Sequence, residues 1–135
     1  MELSPIKYED LNAKQKEIYN FQKVSAKLAD YGFNCIKLAD DWHGADFLAY
    51  HKDGEETLKV QLKGRLLVNQ SYQGKNLYMA FPLDGEWYLV PHDAIVEHFR
   101  SETSYLDSPS WTQNGAYHAG SPNQKTREWL RAFRL

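Results

Sequence analysis

Gly44-Ala45-Asp46-Phe47-Leu48-Ala49-Tyr50, followed after Lys52-Asp53-Gly54-Glu55 by Leu58-Lys59-Val60-Gln61-Leu62-Lys63-Gly64-Arg65, decides the fold. Two alternating runs separated by Asp-Gly read as a β-hairpin. With Asp53 and Gly54 as the loop residues of a type I′ turn, Lys52 faces Glu55. Counting outward, Asp46 then lies opposite Gln61, with Cβ atoms roughly 4.5–5.5 Å apart. Lys63 lies two residues beyond Gln61 and shares its face. On the other face Ala45, Phe47 and Ala49 fall opposite Leu62, Val60 and Leu58, all apolar. A slip of one residue would drive Asp46 and Lys63 into that apolar face, so the register is well determined. The pattern gathers a carboxylate, an amide oxygen and an ammonium at one end of a hairpin. Mg²⁺ takes oxygen ligands of this kind and completes its shell with water and phosphate.

Outward from the hairpin, Asn12 reads as the N-cap of a helix over about Ala13 to Asp30. Ile18, Phe21, Val24, Ala26 or Ser25, and Leu28 recur at helical spacing, with Glu17, Asn20, Lys23 and Lys27 on or beside the polar side. Gly32 ends it. Phe33 to Leu38 reads as a strand, and Asp40-Asp41-Trp42-His43-Gly44 as a loop delivering the chain to Asp46. Val68 to Asn76 reads as a polar loop. Leu77 to Phe81 and Trp87 to Pro91 read as strands around an Asp84-Gly85 turn, with a helix capped by His92 or Asp93 over about Ala94 to Arg100. Ser101 to Ala119 is irregular, anchored by Trp111 and Tyr117. Ser121-Pro122 starts a last helix, with Pro at its first position and Trp129, Leu130 and Phe133 on its apolar face.

This order predicts an α/β (α+β) fold: an N-terminal helix, then a central mixed sheet with an active-site β-hairpin, flanked by helices. The 135 residues form a single domain with a core over about 13–100 and an aromatic, basic tail over 101–135. Apolar residues make up 42% and charged residues 25%, a globular rather than a disordered balance. No apolar run reaches about 18 residues, so no membrane partner is expected. The N-terminus lacks the pattern of a signal peptide, and a cytoplasmic location is the default. The lone Cys35 excludes an internal disulfide and a cysteine-based zinc site.

The net charge of −2 does not announce a nucleic-acid binder, yet its distribution is uneven. Thr57 to Leu83 contains Lys59, Lys63, Arg65 and Lys75 and no acid, and Lys125, Arg127, Arg131 and Arg134 face only Glu128 near the end. Two local basic patches on an acidic body suit a polyanion bound at one face. Lys23, His43, Lys59, Arg65, Lys75 and Arg127 are the candidate nucleic-acid contacts, His43 through its closeness to Asp46. Tyr72, Trp111 and Tyr117 are large aromatics that either stack on bases or pin irregular segments to the core. The five histidines show no metal spacing, and no phosphate-binding Gly-rich loop or nucleophile elbow is present.

The helix ending in Tyr-Gly-Phe, the strand, Gly-Ala-Asp46, the hairpin and Gln61-Leu62-Lys63 resemble the core of the PD-(D/E)XK nuclease superfamily. The Gln-x-Lys form is similar to the group I intron homing endonuclease branch and its bacterial relatives, as are Trp87 to Pro91, Ser110-Trp111 and Tyr117. The resemblance implies a metal-dependent DNA endonuclease giving 5′-phosphate and 3′-hydroxyl ends. It implies Mg²⁺, with Mn²⁺ able to substitute, held by Asp46, Gln61 and the backbone carbonyl of Leu62. It makes Lys63 the residue that positions the attacking water and Glu17 the helix acid. This chain departs from the family pattern twice. Gln61 replaces an acid, and Glu17 lies about one turn further from Gly32 than the family's helix acid, where this chain has Phe21. A catalytically inactive nucleic-acid-binding or protein-interaction module on the same fold is the alternative reading. Recognition of a long DNA site by so small a chain would call for a homodimer or larger homo-oligomer.

Overall fold

Asn12 and Gln15 cap each other at the start of the first helix. The Asn12 side chain accepts the Gln15 N–H at 2.9 Å, and the Gln15 side chain accepts the Asn12 N–H at 3.0 Å. The helix, α1 (Ala13–Ala29), closes at Gly32, whose left-handed φ of +85° turns the chain into the sheet. The computed structural model describes residues 1–135 except the side chain of Asp41.

The strands are β1 (Phe33–Trp42), β2 (Ala45–His51), β3 (Thr57–Leu62), β4 (Leu67–Asn69), β5 (Leu77–Leu83) and β6 (Glu86–Pro91). They are followed by α2 (His92–Glu102), α3 (Pro109–Thr112), β7 (Ala116–His118) and α4 (Gln124–Leu130). Five strands form one mixed sheet in the order β1-β2-β3-β5-β6, antiparallel except where β3 runs parallel to β5. β4 and β7 form a separate antiparallel pair. The fold is mixed α+β with helices flanking a central mixed sheet, as the sequence order predicts. No helix is long and apolar enough to cross a membrane.

The β2–β3 register matches the hairpin reading, with Tyr50 opposite Thr57, Ala49 opposite Leu58 and Phe47 opposite Val60. The turn differs from expectation. Asp53 does not take the positive φ that a type I′ turn requires. The loop instead spans Lys52 to Glu55, closed by His51 N–H to Glu56 O and Gly54 N–H to His51 O, each at 2.9 Å. The Asp53 carboxylate accepts the Glu55 N–H at 2.9 Å. A four-residue loop centred on the same bond as the two-residue one leaves the register unchanged. The His43-Gly44 pair joins β1 to β2, with φ of 54° and 87° and Trp42 opposite Ala45. The expected loop over 40–44 is therefore a strand end and a tight turn, preceded by a register shift between Lys37 and Trp42.

Alternation along the sheet divides the core. Phe47, Ala49, Val60 and Ala80 pack with Val24 and Leu28 of α1. Met79, Phe81 and Val90 pack with Ile95, Val96 and Phe99 of α2 and with Leu106, Trp111 and Leu130 of the tail. In α1 the buried stripe is Asn20, Val24 and Leu28, while Ile18 is exposed and so is Ala26. Asn20 was placed on the polar side by its type; it is buried because Tyr8 covers it and accepts its Nδ2–H at 2.9 Å.

Three further expectations are corrected. The polar loop over 68–76 begins as β4, and Leu66, Leu67 and Val68 are buried because β7 pairs with that strand. The irregular stretch over 101–119 contains α3 and β7, with Trp111 buried and Tyr117 stacked on Tyr105. The last helix is capped by Asn123, which accepts the Thr126 N–H at 2.8 Å, so Ser121-Pro122 lie before it.

His92 opens α2 rather than capping it, and its ring is fully buried. Nε2 accepts the Asn69 N–H at 3.1 Å and Nδ1 faces Asp93 Oδ1 at 2.9 Å, an arrangement that requires the neutral ring with its proton on Nδ1. Burial pushes the His92 pKa down against the pull of Asp93, and burial does the same to His98. Both rings therefore resist a proton that the unfolded chain accepts below about 6.5. Stability is expected to fall as pH drops from neutrality through that value, because the unfolded state binds more protons. Thermal melts at pH 7.5 and pH 5.5 check this, and an unchanged midpoint would show that neither ring stays neutral in the fold.

Candidate active site

The backbone ladder between β2 and β3 ends at Phe47 and Val60. Beyond it the Asp46 side chain takes over, with Oδ2 accepting the Leu62 N–H at 2.8 Å. Asp46 and Gln61 therefore meet across splayed strand ends rather than as a paired rung. Lys63 is fixed from the other side, its N–H donating to Ala80 O of β5 at 2.9 Å and so extending the parallel pairing past the end of β3.

A cleft of about 180 Å³ opens at these strand ends, lined by Glu17, Asn20, Lys37, Asp46, Gln61, Leu62, Lys63 and Gly64. All five residues singled out for chemistry in the sequence, Glu17, Asp46, Gln61, Leu62 and Lys63, line it together. Glu17 reaches it from the first half of α1 and is paired at the surface with Lys14 at 3.5 Å. Lys37 and Asn20 were not anticipated. Lys37 sits in β1 opposite Phe47, with its ammonium 5.2 Å from the Phe21 ring centroid. Asn20 follows Glu17 by three positions, the spacing that puts two helix residues on one face.

Gln61 is the unusual member. Its side chain is only 4% exposed, and its Oε1 has no hydrogen-bond partner among the described residues. Leaving a buried acceptor unmet costs about 1–3 kcal/mol. A buried amide oxygen of this kind is one that a hard cation can take as a ligand, as it takes carboxylates. No group of three His, Cys, Asp or Glu side chains converges among the described residues. The donor set of Asp46, Gln61 and the strand backbone fits Mg²⁺ rather than zinc, since Mg²⁺ binds through one or two carboxylates with water and phosphate.

The six candidate nucleic-acid contacts do not line one groove together. His43 and Lys59 share a groove with Leu38, Trp42, Ala45 and Leu48, and the Lys59 ammonium donates to Lys75 O at 2.6 Å. Lys75 and Arg65 are exposed, Arg65 beside Gly120. Lys23 lies on α1 with its ammonium 5.2 Å from the Tyr19 ring centroid. Arg127 is engaged within the fold, donating from Nε to Pro122 O at 2.9 Å and pairing through Nη1 with Asp84.

No family model matches the sequence, and no curated protein matches it. Several solved structures match, among them the following two. One is a bacterial homing endonuclease, I-Ssp6803I, with a TM-score of 0.53, 15% sequence identity, and coverage of 91% of this chain and 86% of that one. The other is Hjc, a Holliday junction resolvase from the archaeal hyperthermophile Archaeoglobus fulgidus, with a TM-score of 0.45, 18% identity, and coverage of 58% of this chain and 74% of that one. The helix before the sheet, the parallel β3–β5 pair and the match over nine-tenths of the chain agree with the motif: this protein has the restriction-endonuclease-like fold of the PD-(D/E)XK nucleases.

Proposed function

We propose that the chain is a Mg²⁺-dependent endonuclease acting on DNA, with its active site in the cleft of Asp46, Gln61 and Lys63. The observation that carries this reading is the buried Oε1 of Gln61, without a hydrogen-bond partner among the described residues, in a cleft that also holds a carboxylate and an ammonium. Asp46, Gln61 and the Leu62 carbonyl would hold the cation, with Glu17 as a further acid reached directly or through water. When bound, the cation supplies charge neutralisation at the phosphate. Lys63 orients the attacking water and offsets charge developing on the phosphate oxygens. The water oxygen gives up a proton and bonds to phosphorus as the P–O3′ bond breaks, and the leaving O3′ takes up a proton from solvent, giving a 5′-phosphate and a 3′-hydroxyl. Mn²⁺, with similar oxygen preference, should substitute. Two or more copies of this chain would be needed to read a long site.

Incubation with supercoiled plasmid, branched DNA and single-stranded DNA in Mg²⁺ or Mn²⁺ tests the proposal. Cleavage should stop on chelation and fall by roughly 10²- to 10³-fold in Lys63→Ala. Cleavage indifferent to Lys63→Ala would end the reading. The amide in place of an acid favours one rival, a DNA-binding module without turnover. Its mark would be salt-dependent binding with no cleavage in either metal.

A further inference from the structure

A second groove adjoins the cleft, and Asn20 lines both. Its walls are Tyr8, Tyr19, Lys23 and Lys27 on one side, with Pro82, Gly85 and the cross-strand partner of Pro82, Trp87, on the other. At about 400 Å³ it is larger than the cleft. Tyr19, Lys23 and Lys27 recur every fourth residue, a stripe roughly 12 Å long on one side of α1. The Tyr8 and Tyr19 rings lie 5.4 Å apart, and each has an ammonium over it: Lys16 at 5.3 Å and Lys23 at 5.2 Å. Among the described residues two lysines line the groove and no carboxylate does.

Aromatic faces beside ammonium groups recognise a base and its phosphate together. The bases of a duplex are stacked on one another and cannot present their faces to tyrosine rings; an unpaired base can. We propose that this groove takes an unpaired nucleotide of a DNA strand whose backbone continues past Asn20 into the cleft of Asp46 and Lys63. The base displaces the Lys23 ammonium from the Tyr19 ring, and Lys23 and Lys27 meet the phosphates. The inference rests on the nuclease reading for its choice of ligand and makes the substrate DNA with a single-stranded segment beside the cleavage site.

Binding in chelator separates the two proposals, because it needs no cleavage. Fluorescence anisotropy with a labelled oligothymidylate and with a duplex of equal length should show Tyr19→Ala weakening the single strand about ten-fold and the duplex far less. Tyr19→Phe should restore binding, and Lys23→Gln, which leaves the ring in place, should weaken the single strand in a salt-dependent way. Photocrosslinking of a 5-iodouracil oligonucleotide should map to Tyr8, Tyr19 or Trp87. No loss in either variant, equal loss on both DNAs, or crosslinks confined elsewhere would overturn the groove while leaving plasmid cleavage, and its dependence on Lys63, untouched.

Discussion

Asp46→Asn is expected to reduce DNA cleavage by 10²- to 10³-fold or more while the protein keeps its fold. The substitution separates two duties of one side chain. As a hydrogen-bond acceptor, Asp46 holds the Leu62 N–H at 2.8 Å and so ties the splayed end of β2 to β3. As a charge, it is the carboxylate of the proposed cation site. Asn retains an oxygen that accepts the Leu62 N–H, so the structural cost is the difference between a charge-assisted and a neutral hydrogen bond, about 1 kcal/mol. Thermal melting and plasmid nicking measured on one preparation give both readouts. A variant that still cleaves at the original rate would remove Asp46 from the chemistry. One that fails to fold would mean that its charge is structural.

The second large effect concerns Gln61. Its buried amide oxygen lacks a partner among the described residues, so exchanging it for an apolar side chain of similar length should stabilise the protein. Gln61→Met is expected to gain about 1 kcal/mol or more and to lose cleavage, the pattern of a site kept at the expense of stability. Gln61→Glu should act in the opposite sense. The introduced carboxyl sits in the buried position beside Asp46, and both burial and the neighbouring charge raise its pKa in the fold. Below about pH 4.3 the introduced group is protonated in folded and unfolded chains alike and costs little. As pH rises above that value the unfolded chain releases the proton first, so stability falls towards neutrality, by roughly 3 kcal/mol or more for an unpaired buried charge. Mg²⁺ or Mn²⁺ should then recover the lost stability and raise the melting midpoint more than in the unaltered protein. Melting curves across pH, with and without either ion, read all of this. A Gln61→Met midpoint no higher than the original, with no added metal response in Gln61→Glu, would show that the amide oxygen is not held for a cation.

The residues that form the cleft were legible because strand alternation is strict. Asp46, Gln61 and Lys63 follow from one register, and that register survives an error in the turn because both loops share a centre. Turn chemistry was less legible. The Asp-Gly at 84–85 takes the two positive φ values of a tight hairpin, whereas the one at 53–54 does not, and His43-Gly44 does. Asn20 and Lys37 were missed because their places depend on what covers them, Tyr8 in one case and Phe21 in the other. The burial of Gln61 could not be read from its neighbours in sequence, and the cleft it lines draws Glu17 and Asn20 from α1 and Lys37 from β1. β4 and β7 were missed for a different reason. Three-residue strands carry almost no periodic signal, and each is recognisable only through the other.

That last pairing also sets an order of assembly. The β1–β2, β2–β3 and β5–β6 hairpins close over short loops and can form as soon as their residues exist. β4 begins at Leu67, after Gly64, Arg65 and Leu66, and has no strand to pair with until Ala116–His118 has been synthesised. On a ribosome the segment leaving β3, Leu66 to Val68, waits with its apolar side chains unburied while the chain through α2 and α3 emerges. The cleft does not wait for that pairing: its lining runs from Glu17 to Gly64 and Lys63 is anchored on Ala80 of β5, so the late step covers the apolar residues of β4 rather than the cleft.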